Sequence, residues 1–313
     1  MKEIIVDSKY DGKYLNTFLL NTFDGLNKNL LYKTLRKKDI RVNDVKVSEN
    51  VIVHSGDNIK VYLSDEQLEK NNISNIKIVY EDDNILVVNK PAGIEVVGEN
   101  SLTNYLQDIY YNKLEQDNSL SSNETKKCNN SNNNIKSNCN NIFIQPCHRL
   151  DRNTTGLVLF AKNEEALNIL LEKFKNHEIE KHYRATVVGI PKVKKADLVA
   201  FLFKDAKKSM VYISDTPKKG YEQIRTSYEL ISSNSKNNTS ILDVTLHTGK
   251  THQIRAHLAH IGYPIIGDGK YGINEVNRKL GYKVQQLTSF SLTFTFKSDS
   301  GILNYLKGKT ITV

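Results

Sequence analysis

The sequence predicts an α+β fold in which a strand-rich domain follows a small α/β module. Two observations indicate this fold class. Strand-like runs come in hairpin pairs, as at residues 76–89 and 226–247, without the regular strand–helix–strand alternation of a doubly wound sheet. Helical periodicity is confined to a few segments, such as residues 163–175. With 313 residues, the chain is also long enough for two domains.

Residues 1–65 form the predicted N-terminal module. A strand at 4–6 precedes a helix with apolar residues at helical spacing over 15–23, and a second helix is expected over about 29–38. The second helix and the strand after it are basic, which suits the helix macrodipole and solubility but also suits an anionic partner. The basic side chains are Lys33, Arg36, Lys37, Lys38 and Arg41.

A polar stretch at 66–75 is the predicted linker, and residues 76–313 form the predicted second domain. This domain opens with the hairpin at 76–89, after which Pro91 must leave the sheet. A helix follows over 102–114. Residues 115–141 are dominated by Asn and Ser, with almost no residues that could build a core, so we expect a disordered insertion.

The first concentration of charged residues lies at 147–162. Asp151 stands between Arg149 and Arg152, just before the apolar run 158–161, which has the composition of a buried strand. We expect the neighbouring guanidinium groups to keep Asp151 ionised, which makes it a poor general acid and a competent nucleophile. A surface turn with a structural Asp–Arg pair explains the same residues, and local chemistry leaves both interpretations open.

The second concentration lies at 247–262. We expect a helix with Thr251 as its N-cap and Gly262 as its end, and an apolar stripe that leaves Arg255 near the buried edge. A buried Arg needs an anionic partner, and Asp151 is one candidate. Zinc binding by His252, His257 and His260 is disfavoured because these spacings do not share one helical face. A histidine general base is a further alternative.

Between these clusters, Asn163 is the predicted cap of a helix over 164–175, and strands are expected at 181–189, 199–203, 209–213, 226–231 and 241–247. Residues 191–220 otherwise look basic and irregular.

Composition narrows the classes of function. The net charge of +9 and the pI near 9.1 indicate a polyanionic partner. No apolar run approaches the about 18–20 residues of a membrane span, and no signal peptide is recognisable, so we expect a cytoplasmic protein without membrane association. The 3 cysteines lack CxxC spacing, which argues against a disulfide framework and a zinc site.

Three motifs in fixed order carry a family resemblance: HRLDRNTTGLVLFAK, KHYRATVVG and TGKTHQIRAHLAHIGYPIIGDGKYG. Together they resemble the RluA-type RNA pseudouridine synthases over about residues 76–296. Residues 78–93 are similar to the opening hairpin and Lys-Pro turn of that family. Residues 15–63 resemble the S4 RNA-binding fold, a common N-terminal companion. The resemblance implies a mixed, largely antiparallel sheet of pseudouridine synthase type.

The resemblance also implies a role for each matching residue. Asp151 corresponds to the catalytic aspartate, Arg255 to the basic residue that orients it, and Tyr183 to the tyrosine that stacks on uracil. Arg149 corresponds to the side chain that fills the gap left by the extruded uridine. Leu287 falls where an apolar residue lines the base pocket, although Thr288 stands where the family often has His. The S4-like module would grip structured RNA through Lys33, Arg36, Lys37, Lys38 and Arg41.

The expected function is therefore isomerisation of specific uridines to pseudouridine, in large-subunit ribosomal RNA or in tRNA, by a monomer. No metal, nucleotide or organic cofactor is expected, and the sequence has no P-loop motif. Two alternatives remain: an RNA-binding or ribosome-assembly protein without the chemistry, and a metallohydrolase.

Overall fold

The structure is a computed structural model that describes residues 2–23, 26, 28–63, 76–98, 100–121 and 142–313. It divides into two compact units, Met1–Asn75 and Ile76–Val313. Each unit has a hydrophobic core of its own. The predicted linker at 66–75 lies outside the described residues.

The N-terminal unit packs two helices against small antiparallel sheets. Its strands are β1 Lys2–Ile5, β2 Lys13–Tyr14, β3 Ile40–Val42, β4 Val45–Lys46, β5 Ile52–Val53 and β6 Asn58–Val61, and its helices are α1 Leu15–Thr22 and α2 Lys28–Arg36. A short 3-10 helix covers Ser8–Tyr10. The strand order is β1-β6-β3-β4, and β2 pairs separately with β5.

Both predicted helices of this unit are present, because their apolar residues at helical spacing face the core. The second helix ends at Arg36, two residues earlier than expected. Lys38 has a φ of 58°, in the left-handed region, which an α-helix does not accommodate. Lys37 and Lys38 therefore lie in the turn that leads into β3.

The second unit is organised around one large sheet. Its strands are β7 Lys77–Glu81, β8 Ile85–Lys90, β9 Gln145–Pro146, β10 Thr155–Ala161, β11 Ile179–Val188, β12 Lys195–Asp205, β13 Met210–Ser214, β14 Glu222–Asn234, β15 Thr239–Leu246, β16 Leu287–Phe294 and β17 Thr310–Thr312. The main path runs β13-β12-β14-β15-β11-β16-β10-β8-β7. Only β10 and β16 pair in parallel among the described strands, so the predicted mixed, largely antiparallel α+β fold is confirmed.

In the described residues of this unit, four helices accompany the sheet. They are α3 Leu102–Ser121, α4 Glu164–Lys175, α5 Gln253–His260 and α6 Asn274–Lys279, and a 3-10 helix spans Gly301–Leu306. Asn163 caps α4 as predicted, since its side chain accepts a hydrogen bond from the amide of Ala166 at 2.8 Å. None of the helices in the described ranges has the length and apolar composition needed to cross a membrane.

The structure corrects two expectations about this unit. Residues 115–121 are helical rather than disordered, because α3 continues to Ser121; extending an existing helix adds a hydrogen bond for each further residue. The rest of the predicted insertion lies outside the described residues. Residues 191–220 are mostly a regular hairpin of β12 and β13, in which inward positions alternate with exposed ones that include the apolar Val199 and Phe203.

The buried strand β10 brings the first charged cluster beside the start of β16. It pairs with β8 on one side and with the first residues of β16 on the other, where Gly156 lies opposite Ser289. Gly156 has a φ of +105°, and a Cβ there would lie 2.1 Å from the carbonyl oxygen of Ser289. Only glycine permits this close approach, which sets the loop carrying Asp151 beside the start of β16.

Candidate active site

Asp151 lies in the loop between β9 and β10, and its backbone closes a turn in which the amide of Thr154 donates to its carbonyl at 3.0 Å. Its side chain is 26% exposed. The carboxylate therefore borders solvent on one side and protein on the other, so a substrate can reach it.

Arg255, on the buried side of α5, supplies the charge that Asp151 faces. Its Nη1 donates to Oδ2 of Asp151 at 2.9 Å. The predicted pairing of an Arg from the second cluster with Asp151 is therefore present. Its helix starts later than expected, however, at Gln253, with His252 rather than Thr251 as the N-cap. Gly262 follows the helix end with a φ of +87°, as predicted.

A second carboxylate, Asp268, holds the same guanidinium from the other side. Oδ2 of Asp268 accepts from Nε of Arg255 at 2.6 Å, and Oδ1 accepts from Nη2 at 3.0 Å. Asp268 also accepts from the backbone amides of Lys270 and Tyr271. Burial raises the pKa of Asp268, but the bonds from Arg255 and these amides outweigh it and bring the pKa below its ordinary value.

The carboxylate of Asp151 opens into a cavity of about 300 Å³. All five residues predicted for the catalytic domain line it: Arg149, Asp151, Tyr183, Arg255 and Leu287. They come from a loop, two strands and a helix, so the fold assembles residues that are far apart in the chain. The volume falls within the range of small-molecule pockets.

Tyr183 and Leu287 form the apolar part of this cavity. Tyr183 lies in the middle of β11 and Leu287 begins β16, and both are buried. Burial and the nearby negative charge of Asp151 raise the pKa of Tyr183, so its hydroxyl stays protonated at neutral pH. An aromatic face beside an aliphatic side chain suits a planar base. Thr288 bonds to Thr155 through their hydroxyl groups, 2.7 Å apart.

Two cations at the cavity differ in environment. Arg149 is exposed, whereas Lys181 is partly buried and has a pKa lowered by burial. Within the described ranges, neither forms an ion pair with a carboxylate. Both are available to an anionic substrate, and in RNA that anion is phosphate.

Lys90 holds the loop that carries Asp151 in place. It ends β8, is fully buried, and donates from Nζ to the carbonyls of Pro91, Ile94 and Arg152 at 2.8–2.9 Å. Burial lowers the pKa of Lys90 to about 8, and the charge of Asp151 opposes this shift. Arg152 points away from the carboxylate, since its Nε donates to the carbonyl of Gly93. The Lys-Pro turn thus holds the segment that follows Asp151.

The three histidines of the second cluster have three different environments. Nδ1 of His252 lies 3.0 Å from the hydroxyl of Tyr271, Nδ1 of His257 lies 3.2 Å from that of Thr226, and Nε2 of His260 lies 2.8 Å from the carboxylate of Asp215. In the part of the chain that the structure describes, no group of three or more His, Cys, Asp or Glu side chains could hold a metal ion.

The basic residues predicted to bind RNA lie on the N-terminal unit. Lys33, Arg36, Lys37 and Lys38 are exposed, and Arg41 is partly buried with its guanidinium 5.2 Å from the centre of the Tyr62 ring. Among the described residues, Lys33, Lys37 and Lys38 form no ion pair. Their charges are open to solvent.

Four residues of the site were not predicted from the sequence: Asp268, His252, Tyr271 and Lys90. Asp268 and Tyr271 both lie in the GDGKYG segment, where an acid closely follows a buried apolar pair. An aspartate at that position, a few residues after a helix carrying a buried Arg, was an available signal. The sequence does not indicate which group donates in the hydrogen bond between His252 and Tyr271.

Comparison with known proteins decides the family. A family model described as RNA pseudouridylate synthase matches residues 84–260, more than half of the chain and including Asp151, Tyr183 and Arg255. The chain belongs to the RNA pseudouridylate synthase family. RNA pseudouridine synthases are isomerases, so the predicted enzyme class is confirmed, as is the resemblance to the RluA type.

Relatives within the family match most of the chain. A ribosomal large subunit pseudouridine synthase C from Buchnera aphidicola subsp. Baizongia pistaciae is 30% identical over 84% of this chain and 78% of its own. An uncharacterized RNA pseudouridine synthase from Mycoplasma capricolum subsp. capricolum is 30% identical over 99% of this chain and 97% of its own, so that alignment spans both units. The solved structure of human RNA pseudouridylate synthase domain containing 1 shares the fold, with a TM-score of 0.57 and 19% identity over 76% of this chain and 83% of its own.

Proposed function

We propose that this pseudouridine synthase isomerises uridine in large-subunit ribosomal RNA, with Asp151 as the catalytic carboxylate and without a cofactor. One observation carries the proposal: the carboxylate of Asp151, held by Arg255, faces a cavity lined by Tyr183 and Leu287. The choice of RNA rests on the name of the Buchnera relative, and tRNA is the second candidate.

The reaction breaks the N1–C1′ bond of uridine, turns the free uracil, and joins C5 to C1′. C5 then loses its proton and N1 gains one, so the product is an isomer of uridine. The base must first leave the RNA stack, at a cost of a few kcal/mol. Stacking on Tyr183 returns about 1–3 kcal/mol of that cost. We propose that Arg149 occupies the vacated position in the RNA; its support is that the side chain is exposed and lines the cavity.

Asp151 then acts at the ribose by one of two routes. It attacks C1′ and forms an ester while the electron pair of the N1–C1′ bond leaves with N1, or it takes a sugar proton and assists elimination. In both routes Arg255 holds the carboxylate in a fixed direction through its hydrogen bond to Oδ2. Neither route requires a metal, nucleotide or organic cofactor.

The decisive experiment maps pseudouridine in total RNA from a deletion strain, using a chemical readout specific for pseudouridine. We expect sites that disappear on deletion, return with the wild-type gene, and stay absent with Asp151→Ala. The same variant should bind RNA with nearly wild-type affinity. Wild-type turnover by Asp151→Ala would remove this residue from its role, and lost sites in tRNA would replace the ribosomal substrate.

We further propose that the N-terminal unit is an S4-like module that binds RNA through Lys33, Arg36, Lys37, Lys38 and Arg41. The proposal is supported by the positive charge of these residues at the end of α2 and the start of β3, and by the solvent exposure of all of them except the partly buried Arg41. Removing one lysine–phosphate interaction should lower the slope of log affinity against log salt by about 0.7–0.9. A Lys33→Gln/Lys37→Gln double variant should therefore bind RNA more weakly and with a shallower slope.

The matched control is Lys2→Gln/Lys9→Gln, which removes the same charge from the same unit away from α2. An unchanged slope in the α2 variant would contradict RNA binding by this face. We also propose a cytoplasmic monomer; cell fractionation measures the location, and light scattering measures the mass.

A further inference from the structure

His252 borders the same cavity in a strained backbone conformation. It is the N-cap of α5 with φ 54° and ψ 16°, in the left-handed region. That region costs a non-glycine residue about 1–2 kcal/mol, and such strain persists where the surrounding structure imposes it, often at functional sites. The conformation places Nε2 of His252 at 3.9 Å from Oδ2 of Asp151.

The hydrogen bonds of the Tyr271 hydroxyl favour one tautomer of His252. The backbone amide of Val211 donates to the hydroxyl oxygen of Tyr271 at 2.9 Å. An amide can only donate, so it occupies a lone pair of that oxygen. Among the described residues, the acceptor left for the hydroxyl proton of Tyr271 is Nδ1 of His252, at 3.0 Å. A neutral His252 that accepts at Nδ1 carries its proton on Nε2, which faces the cavity.

The charges around the ring keep it neutral. His252 faces the carboxylates of Asp151 and Asp268, the cations of Arg255 and Lys270, and the hydroxyl of Tyr271. Burial, the largest effect, lowers the pKa of His252, and the two acidic residues only partly oppose it. At neutral pH the ring therefore offers an uncharged N–H donor beside the nucleophile.

We propose that His252 donates a hydrogen bond from Nε2 to the uracil as the N1–C1′ bond breaks, and that Tyr271 is the positioning residue that keeps the proton on Nε2. The inference rests on the proposed role of Asp151. When the bond breaks, its electron pair stays on the base and spreads from N1 onto the two carbonyl oxygens. A fixed donor near Asp151 stabilises that charge without any proton transfer.

Two other donors at the cavity are already engaged. Arg255 is held by two carboxylates, and Lys250 is paired with Glu222. Asp151 already pairs with Arg255. A neutral donor avoids adding a second cation beside the same carboxylate, which would weaken the nucleophile further. His252 thus complements Arg255: the arginine holds the carboxylate, and the histidine faces the leaving base.

The test compares His252→Leu and His252→Asn in single-turnover assays on the RNA found by the mapping experiment. Asn tolerates the left-handed region and keeps an amide donor, so its fold is preserved even if Leu is destabilising. We expect Leu to lower the rate by about 10²–10³-fold, the scale for losing one such donor, with little change in RNA affinity. The single-turnover rate of His252→Asn should fall less than that of His252→Leu.

The matched control is His260→Asn, at the other end of the same helix, where the side chain bonds to Asp215. It should react at the wild-type rate. Wild-type rates in both His252 variants would overturn the proposal. Asp151→Ala, measured beside them, keeps the two proposals separate, because an active Asp151→Ala contradicts the role of Asp151 whatever His252 does.

The pH profile tests the position of the proton. The hydroxyl of Tyr271 favours neutral His252, so Tyr271→Phe should raise the pKa of His252 and move the acid limb of the rate to higher pH. His252→Asn should remove that limb. An acid limb that stays in place or moves to lower pH in Tyr271→Phe would overturn the assigned direction of the bond.

Discussion

Two arginine–aspartate pairs in the second unit have nearly the same bonds and opposite surroundings. Arg225 contacts Asp197 through Nε and Nη2, at 2.6–3.1 Å. Arg255 contacts Asp268 through the same two nitrogens, at 2.6 and 3.0 Å. The side chains of the first pair are 54% and 49% exposed, and those of the second 8% and 0%.

Hydration explains why the two pairs differ in what they contribute to stability. Arg225 and Asp197 keep much of their hydration, so their contact contributes little. Arg255 and Asp268 have lost theirs, and the cost is offset only because Asp268 accepts two further amide bonds and Arg255 reaches Asp151. The buried pair therefore fixes one guanidinium in place, and that fixed position is what a catalytic carboxylate requires.

The largest expected effect is that of Asp268→Asn. The amide cannot compensate the buried charge of Arg255, so we expect a loss of about 3–5 kcal/mol in the free energy of unfolding, as for other broken buried pairs. Isomerisation should also fall, because Arg255 is no longer held toward Asp151. Denaturant titration and single-turnover kinetics measure the two effects.

Asp197→Asn is the control for this change, since it removes the same charge from the same kind of pair at the surface. Its unfolding midpoint and rate should equal those of the wild type. Equal losses in the two variants would show that burial does not distinguish the pairs.

Arg255→Lys should affect the reaction more than stability. An ammonium group keeps the charge but lacks the planar fork that serves Asp268 and Asp151 together. We expect the single-turnover rate to drop by about 10²-fold or more, the scale for displacing a reacting group by 1 Å. Arg225→Lys is the control and should retain full activity; a similar drop there would argue against a special role for the buried fork.

The smallest expected effect is the dependence of the free energy of unfolding on acidic pH. Because the folded state lowers the pKa of Asp268, its charge stabilises the fold above the unfolded value of about 3.9, and this contribution is lost as the pH falls through the lowered value. The stability gap between wild type and Asp268→Asn should be constant from about pH 5 to 7 and narrow below about pH 4. Denaturant midpoints across that range measure it, and a gap independent of pH would mean that Asp268 is not the charged partner.

Local patterns in the sequence were sufficient for much of the fold. The helix after Asn163, the opening hairpin and the apolar run after Asp151 all form as predicted, because capping and periodicity act over a few residues. They were insufficient for 191–220, where exposed apolar residues such as Val199 and Phe203 obscure the alternation of β12 and β13. They also misplaced the start of α5, because the left-handed backbone conformation of His252 depends on tertiary contacts such as that with Tyr271.

The sequence by itself determined the family, the sheet class and five residues that share one cavity, because ordered motifs record chemical types without needing distances. Only the tertiary structure decided which charges meet. Arg255 has two carboxylate partners, and its contact with Asp268 forms only because α5 packs against the segment that follows it. The direction of the Tyr271–His252 bond likewise depends on the amide of Val211, which lies in β13. Pairing energies and proton positions depend on distances of a few ångströms, and packing alone sets those distances.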